Sequence, residues 1–190
     1  MSLKTEIFRK IMHLVSSIIG FSVLILDKNL YMPLLFAITL FVVLFDFLRI
    51  KFEFMKKIYY LFFRIFTRVD ENKQITGASF LFIGSCIVAF FFEQQIAAAG
   101  LLVLSFSDSF AALVGIIFGK TKLFNKTLEG SMAFFITSLI ILNLLGFDLF
   151  QNLTVSCIAT IVELFSSYKY NDNISIPVSV CCSIYITNLI

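Results

Sequence analysis

Apolar residues run through this chain in long unbroken blocks separated by short polar stretches, without the period-two alternation of half-buried strands. Blocks long enough to cross a bilayer, roughly 17 to 25 residues, lie at 11–26, 31–48, 75–92, 96–118, 131–147, 149–166 and 174–190. In lipid every backbone amide must be bonded within its own segment, so these blocks predict seven helices and an all-α, polytopic membrane fold. The first block resembles a signal-peptide core. Asp27, Lys28 and Asn29 follow it with no small-residue cleavage site, so it is expected to remain as a helix. No internal repeat, low-complexity tract or second domain interrupts residues 1–190, which read as a single integral-membrane domain.

The polar stretches alternate in character. With the N-terminus in the cytoplasm, the inner stretches hold Lys4, Arg9 and Lys10, then Arg49, Lys51, Lys56, Lys57, Arg64, Arg68 and Lys73. Lys120, Lys122, Lys126 and Lys169 complete the inner set, leaving Lys28 as the one of 15 basic residues on the other side. The positive-inside rule therefore sets the orientation. Between the second and third blocks, residues 50–69 interleave aromatics with bases. Lys57, Arg64 and Arg68 share a helical face there, predicting an amphipathic helix in the cytoplasmic interface.

Composition agrees with lipid as the solvent. The chain of 190 residues is 59% hydrophobic and 14% charged, with a mean hydropathy of +0.98, whereas a soluble domain carries about 25% charged residues. A net charge of +3 without a clustered basic surface on a soluble fold points away from nucleic acid as a partner. Cys86, Cys157, Cys181 and Cys182 fall in apolar stretches without CxxC spacing, so they read as reduced packing residues.

Ionisable groups within spans are costly and mark function by default. Asp108 and Glu163 are the clear cases. After Asp108, Ala111, Ala112, Gly115 and Gly119 recur at three- and four-residue spacing. That small-residue face allows close helix approach and equally leaves room beside the acid for a phosphate or a metal. The loop 119–130 gathers Lys120, Lys122, Lys126 and Glu129, where lysines can neutralise phosphate oxygens and the acid can orient a lysine or help hold magnesium. Gly115 to Thr121 is one residue short of a P-loop and sits on a membrane helix rather than after a strand. Arg9, Lys10 and His13 lie within about one turn of each other at the inner end of the first span. Asp46 and Arg49 form an i,i+3 pair that reads as mutual neutralisation.

Taken in order, these pieces resemble the polyprenol kinase family, which includes dolichol kinase, phytol kinase, farnesol kinase and the CTP-dependent diacylglycerol kinase. They are Arg9-Lys10-x-x-His13; Thr76-Gly77-Ala78; Ser107-Asp108 followed by Ala111, Gly115 and Gly119-Lys120; Lys126-Thr127-x-Glu129-Gly130-Ser131; Glu163; and Asp172-Asn173-x-x-Ile176-Pro177. The run from Asp108 to Ser131 is the most specific. Ser107 stands where many relatives have glycine, and Thr127 where serine is usual; neither change removes a charge.

The resemblance implies a kinase that transfers phosphate to a membrane lipid alcohol from CTP or another nucleoside triphosphate, with magnesium or another divalent cation. Asp108, Glu163 and His13 are then the expected catalytic groups. Lys120, Lys126, Arg9, Lys10, Thr127 and Gly130 would bind the nucleotide, and Asp108, Glu129 and Asp172 the metal. Polyprenol, phytol-like, farnesol-like and diacylglycerol acceptors all fit. The nearest alternative is a CTP:phosphatidate cytidylyltransferase; a transporter or scaffold is the alternative without catalysis. The expected location is an integral, multi-pass one, in the inner membrane of a bacterium or the endoplasmic reticulum or plastid of a eukaryote.

Overall fold

Polar residues at the ends of the apolar blocks start the helices by supplying oxygens to otherwise unpaired amides. Asp27 accepts from the Asn29 amide at 2.9 Å, Thr127 from Gly130 at 3.2 Å, and Asn171 from Asn173 at 3.1 Å. Asp148 and Gln151 complete a reciprocal capping box. The computed structural model describes residues 3–64, 74–166 and 171–189. Its first half comprises α1 (Leu3–Val15), α2 (Ser17–Ile25), α3 (Lys28–Lys51), α4 (Glu53–Phe63) and α5 (Gly77–Phe91). Then come α6 (Gln94–Leu102), a π turn (Val103–Ser107), α7 (Asp108–Phe118) and two short strands, β1 (Lys122–Leu123) and β2 (Lys126–Thr127). The last helices are α8 (Leu128–Leu144), α9 (Leu149–Phe165) and α10 (Asp172–Thr187).

The fold is all-α, and helices occupy all seven apolar blocks. Among the described residues, three continuous helical segments are long and apolar enough to cross a membrane: Glu6–Ile25 with 20 residues, Lys28–Lys51 with 24 and Gln94–Phe118 with 25. By contrast α5, α8 and α9 have 15, 17 and 17 residues, and α10 has 16. At 1.5 Å per residue these four reach only about 22 to 26 Å, so length alone does not make them spans. A short apolar helix is accommodated by local bilayer thinning or snorkelling flanks. Large apolar side chains on the outer face, among them Phe36, Phe41, Ile117 and Leu144, are exposed, as they are where lipid replaces water. The protein is a membrane protein.

The helix α6 forms the centre. Ala97, Ala98 and Ala99 are fully buried, and α2, α5 and α10 pack around them. A side chain at Gly100 would come within 2.8 Å of the Pro177 carbonyl, so α6 and α10 meet backbone to backbone. The expected interfacial helix over 50–69 is divided differently: α3 continues to Lys51, Phe52 breaks it in an extended conformation, and α4 covers Glu53–Phe63. Residues 65–69, including Arg68, lie outside the described residues. The loop after α7 contains a two-residue hairpin, Lys122 opposite Thr127 and Leu123 opposite Lys126.

Candidate active site

The polar site is assembled from distant parts of the chain. From α1, Lys10 reaches the carboxylate of Asp108, its Nζ donating to Oδ2 at 2.5 Å, and Asp108 is 1% exposed. His13, one turn further along α1, places Nδ1 at 3.8 Å from the same oxygen. Among the described residues no hydrogen-bond partner is found for that nitrogen, which is itself buried. Arg9 turns back to Glu6 at 3.5 Å.

Asp108 owes its position to the π turn immediately before it. One wider turn within the continuous helix Gln94–Phe118 shifts the face on which the following residues emerge, and such turns recur at functional sites. Hydroxyls lock the geometry. Ser109 donates to the Lys10 carbonyl at 3.1 Å and Ser16 pairs with Ser105 at 3.0 Å, joining α1 and α2 to this helix. Ser138 of α8 donates to Ser107 at 3.0 Å.

The second half of the site comes from β2, α8, α9 and α10. Lys126 pairs with Glu163 at 2.8 Å, and Ser131 donates to the other Glu163 oxygen at 3.3 Å. Burial by itself would pull the Lys126 ammonium down, but the neighbouring carboxylates of Glu163 and Asp108, and more weakly Asp172, outweigh it and hold Lys126 above the usual lysine value. That sum puts the two halves of the site in one electrostatic field. At the start of α10, Asn173 donates to the Gly77 carbonyl at 2.9 Å, bringing two distant polar pieces of the sequence together.

The small-residue face after Asp108 is occupied by protein. A side chain at Gly115 would meet Thr127 Oγ1 at 2.8 Å, and one at Gly130 would meet the Ala111 carbonyl at 2.8 Å. Gly115 and Gly130 therefore let α7 and α8 cross closely, which carries Lys126 and Thr127 to the acid. Thr127 and Gly130 serve the helix start, since Thr127 Oγ1 accepts from the Gly130 amide.

Two expected participants stand apart. Lys120 is exposed on the loop. Glu129 accepts from the Thr121 amide at 3.2 Å and 3.3 Å, so it organises the loop that carries the hairpin rather than joining Asp108 and Asp172. Among the described residues, no three histidine, cysteine or acidic side chains come together as a cage for a metal ion.

Asp46 proves to be more than half of a neutral pair. It is buried together with Arg49, it binds the Arg49 guanidinium, and it accepts from the Thr76 amide at 2.6 Å, the Thr76 hydroxyl at 3.0 Å and Ser79 at 2.8 Å. Arg49 continues to the Gln74 carbonyl at 2.7 Å and lies 4.6 Å from the centre of the Tyr59 ring. The sequence signal was present: an acid and a base at i,i+3 within an apolar block, with a Thr and a Ser opening the next.

A helical membrane bundle with a buried lysine, histidine and carboxylate site at one end is the class defined by this fold and geometry. The chain is 35% identical to the uncharacterized protein RP860 of Rickettsia prowazekii, over 95% of this chain and 96% of that protein, and belongs to the same family. It is also 31% identical to CTP-dependent diacylglycerol kinase 1 of Saccharomyces cerevisiae, over 72% of this chain and 49% of the yeast protein. With dolichol kinase of the same yeast it shares 40% identity over 41% of this chain and 17% of the kinase. No family model matches the chain. No solved structure matches it.

Proposed function

We propose that this protein is a kinase for a membrane lipid alcohol, with CTP as the first candidate among nucleoside triphosphate donors. The observation that carries the reading is the convergence of Lys10, His13, Asp108, Lys126 and Glu163 within a predominantly apolar helical bundle. The partial similarity to two yeast lipid kinases supports the same chemistry, and the CTP dependence of one of them, the diacylglycerol kinase, supports CTP. Phosphoryl transfer needs positioning and neutralisation of charge more than covalent help from the protein, and these are the resources present.

The lipid hydroxyl would lie between His13 and Asp108. Its oxygen attacks the terminal phosphorus as the bond from phosphorus to the leaving nucleoside diphosphate oxygen breaks, and its proton passes to Asp108, directly or through His13. Lys10 orients the Asp108 carboxylate through its ion pair. Lys126 and Lys10 would meet phosphate oxygens, with Glu163 aiming Lys126, while Arg9 and Lys120 would take the outer part of the nucleotide.

Magnesium is usually held by one or two carboxylates together with the substrate's phosphates, so separated carboxylates fit a cation that arrives with its nucleotide. Asp108 and Asp172 would hold it, and when bound it would neutralise charge on the phosphate oxygens. Glu129 is left out of that set by its bond to the loop.

The reading is tested by incubating the purified protein with γ-labelled CTP or ATP, magnesium and a panel comprising dolichol, farnesol, phytol and diacylglycerol. Label is expected in one lipid phosphate with the wild type and not with Asp108→Asn. Absence of label in every lipid would overturn the proposal.

A further inference from the structure

Between α1–α2 on one side and α3–α5 on the other lies a cavity of about 580 Å³, within the size range of small-molecule sites. Its lining is graded. One end carries His13 from α1, Asp46 from α3 and Thr76 at the start of α5; the other carries Ile19 from α2, Phe41 from α3 and Phe82 from α5. Bonds between α3 and α5 fix the gradient at both levels: Asp46 to the Thr76 amide at 2.6 Å near the polar end, and Thr39 to Cys86 at 3.0 Å further along.

The helix running from Arg9 to Ile19 lines the cavity over about 15 Å. The chief packing partner of α1 is α7, and that of α2 is α6, while α3 packs on α5. The gap between the two pairs is therefore a seam, and Phe41, exposed on the outer face, stands at its edge. Since a bilayer surrounds these helices, the seam gives a hydrocarbon chain a sideways path in.

Resting on the proposed lipid-alcohol kinase reading, we infer that the acceptor's hydrocarbon chain lies in this cavity, hydroxyl toward His13 and tail toward Phe41 and Phe82. The polar-to-apolar grading matches an amphiphile with one small polar head. His13 stands at the junction, lining the cavity and lying 3.8 Å from Asp108, with a buried nitrogen that has no partner among the described residues. The nucleotide would then meet the alcohol from the Lys126 side, across Asp108.

The test uses wild-type protein in lipid nanodiscs with two photoreactive probes, farnesol and diacylglycerol each carrying a diazirine at the tail end, and with their methyl ethers. Expected is labelling of the peptides holding Ile19, Phe41 and Phe82 by at least one alcohol, suppressed by excess unlabelled alcohol and weaker for its ether. Ala78→Trp, which fills the cavity from α5, is expected to reduce that labelling about tenfold, a loss equivalent to about 1.4 kcal/mol of binding. Labelling confined to α8, α9 or α10, or equal labelling by alcohol and ether, would overturn the inference, the latter because bulk lipid would then be the occupant. Hydroxyl-dependent labelling here without any lipid phosphate would instead sink the kinase reading and leave the binding site standing.

Discussion

Asp108 and Lys10 carry the largest consequences of any single change. Both are buried and bonded to each other, and removing one partner of such a pair leaves an uncompensated charge that costs about 3–5 kcal/mol. Lys10→Met is therefore expected to lower the thermal midpoint sharply in detergent, and Lys10→Met with Asp108→Asn to recover most of it. Activity is expected to stay absent in both variants, a split that a purely structural pair would not produce. Lys126→Met and Glu163→Gln are each expected to lower kcat on the order of 10²-fold, the size of losing one charge-stabilising group, and the double variant to lose little more, because Glu163 acts through Lys126. Asp108 and Glu163 stood out in the sequence because charges inside apolar blocks are rare, and Lys10 and Lys126 because they fall in basic clusters at the block ends. Their partners were not: Lys10 and Asp108 lie 98 residues apart, and no local pattern joins them. Asp46 was read too simply for the same reason, since Thr76 and Ser79 approach it only after α5 has packed on α3.

Helix boundaries followed from the apolar blocks and from their caps, and the match is close because in lipid the backbone has few other ways to satisfy its amides. What the blocks concealed was local irregularity. The π turn before Asp108, the break at Phe52 and the hairpin before α8 each depend on tertiary contacts more than on residue type. The contact between α7 and α8 is testable as an element. Gly115→Val and Gly130→Val would each force a side chain against Thr127 or the Ala111 carbonyl, and both are expected to reduce folded yield and phosphoryl transfer together. Thr127→Ala removes the helix cap and is expected to cost about 1 kcal/mol, measured by thermal unfolding, whereas Thr127→Ser keeps the hydroxyl and is expected to match the wild type within error.

For the whole molecule, the distribution of Lys and Arg predicts one orientation, which would place the site on the side where nucleotides are found. Single cysteines substituted into a background with Cys86, Cys157, Cys181 and Cys182 replaced by alanine test it. A cysteine at Asn125 is expected to react with an impermeant maleimide only from the cytoplasmic side, and cysteines at Asn29 and Gly146 only from the other. The reverse pattern would put the nucleotide site on the wrong face and end the kinase account. The polar cluster was visible in the sequence; which shorter helices complete the crossing was not, because α5, α8, α9 and α10 fall below the length that by itself crosses a bilayer. The central claim is the nature of the transferred group, and parallel reactions with α-labelled and γ-labelled CTP resolve it most directly. The γ label is expected in a lipid phosphate while the α label stays in released CDP. The α label appearing in lipid, with pyrophosphate released, would contradict the account and assign the site to cytidylyl transfer.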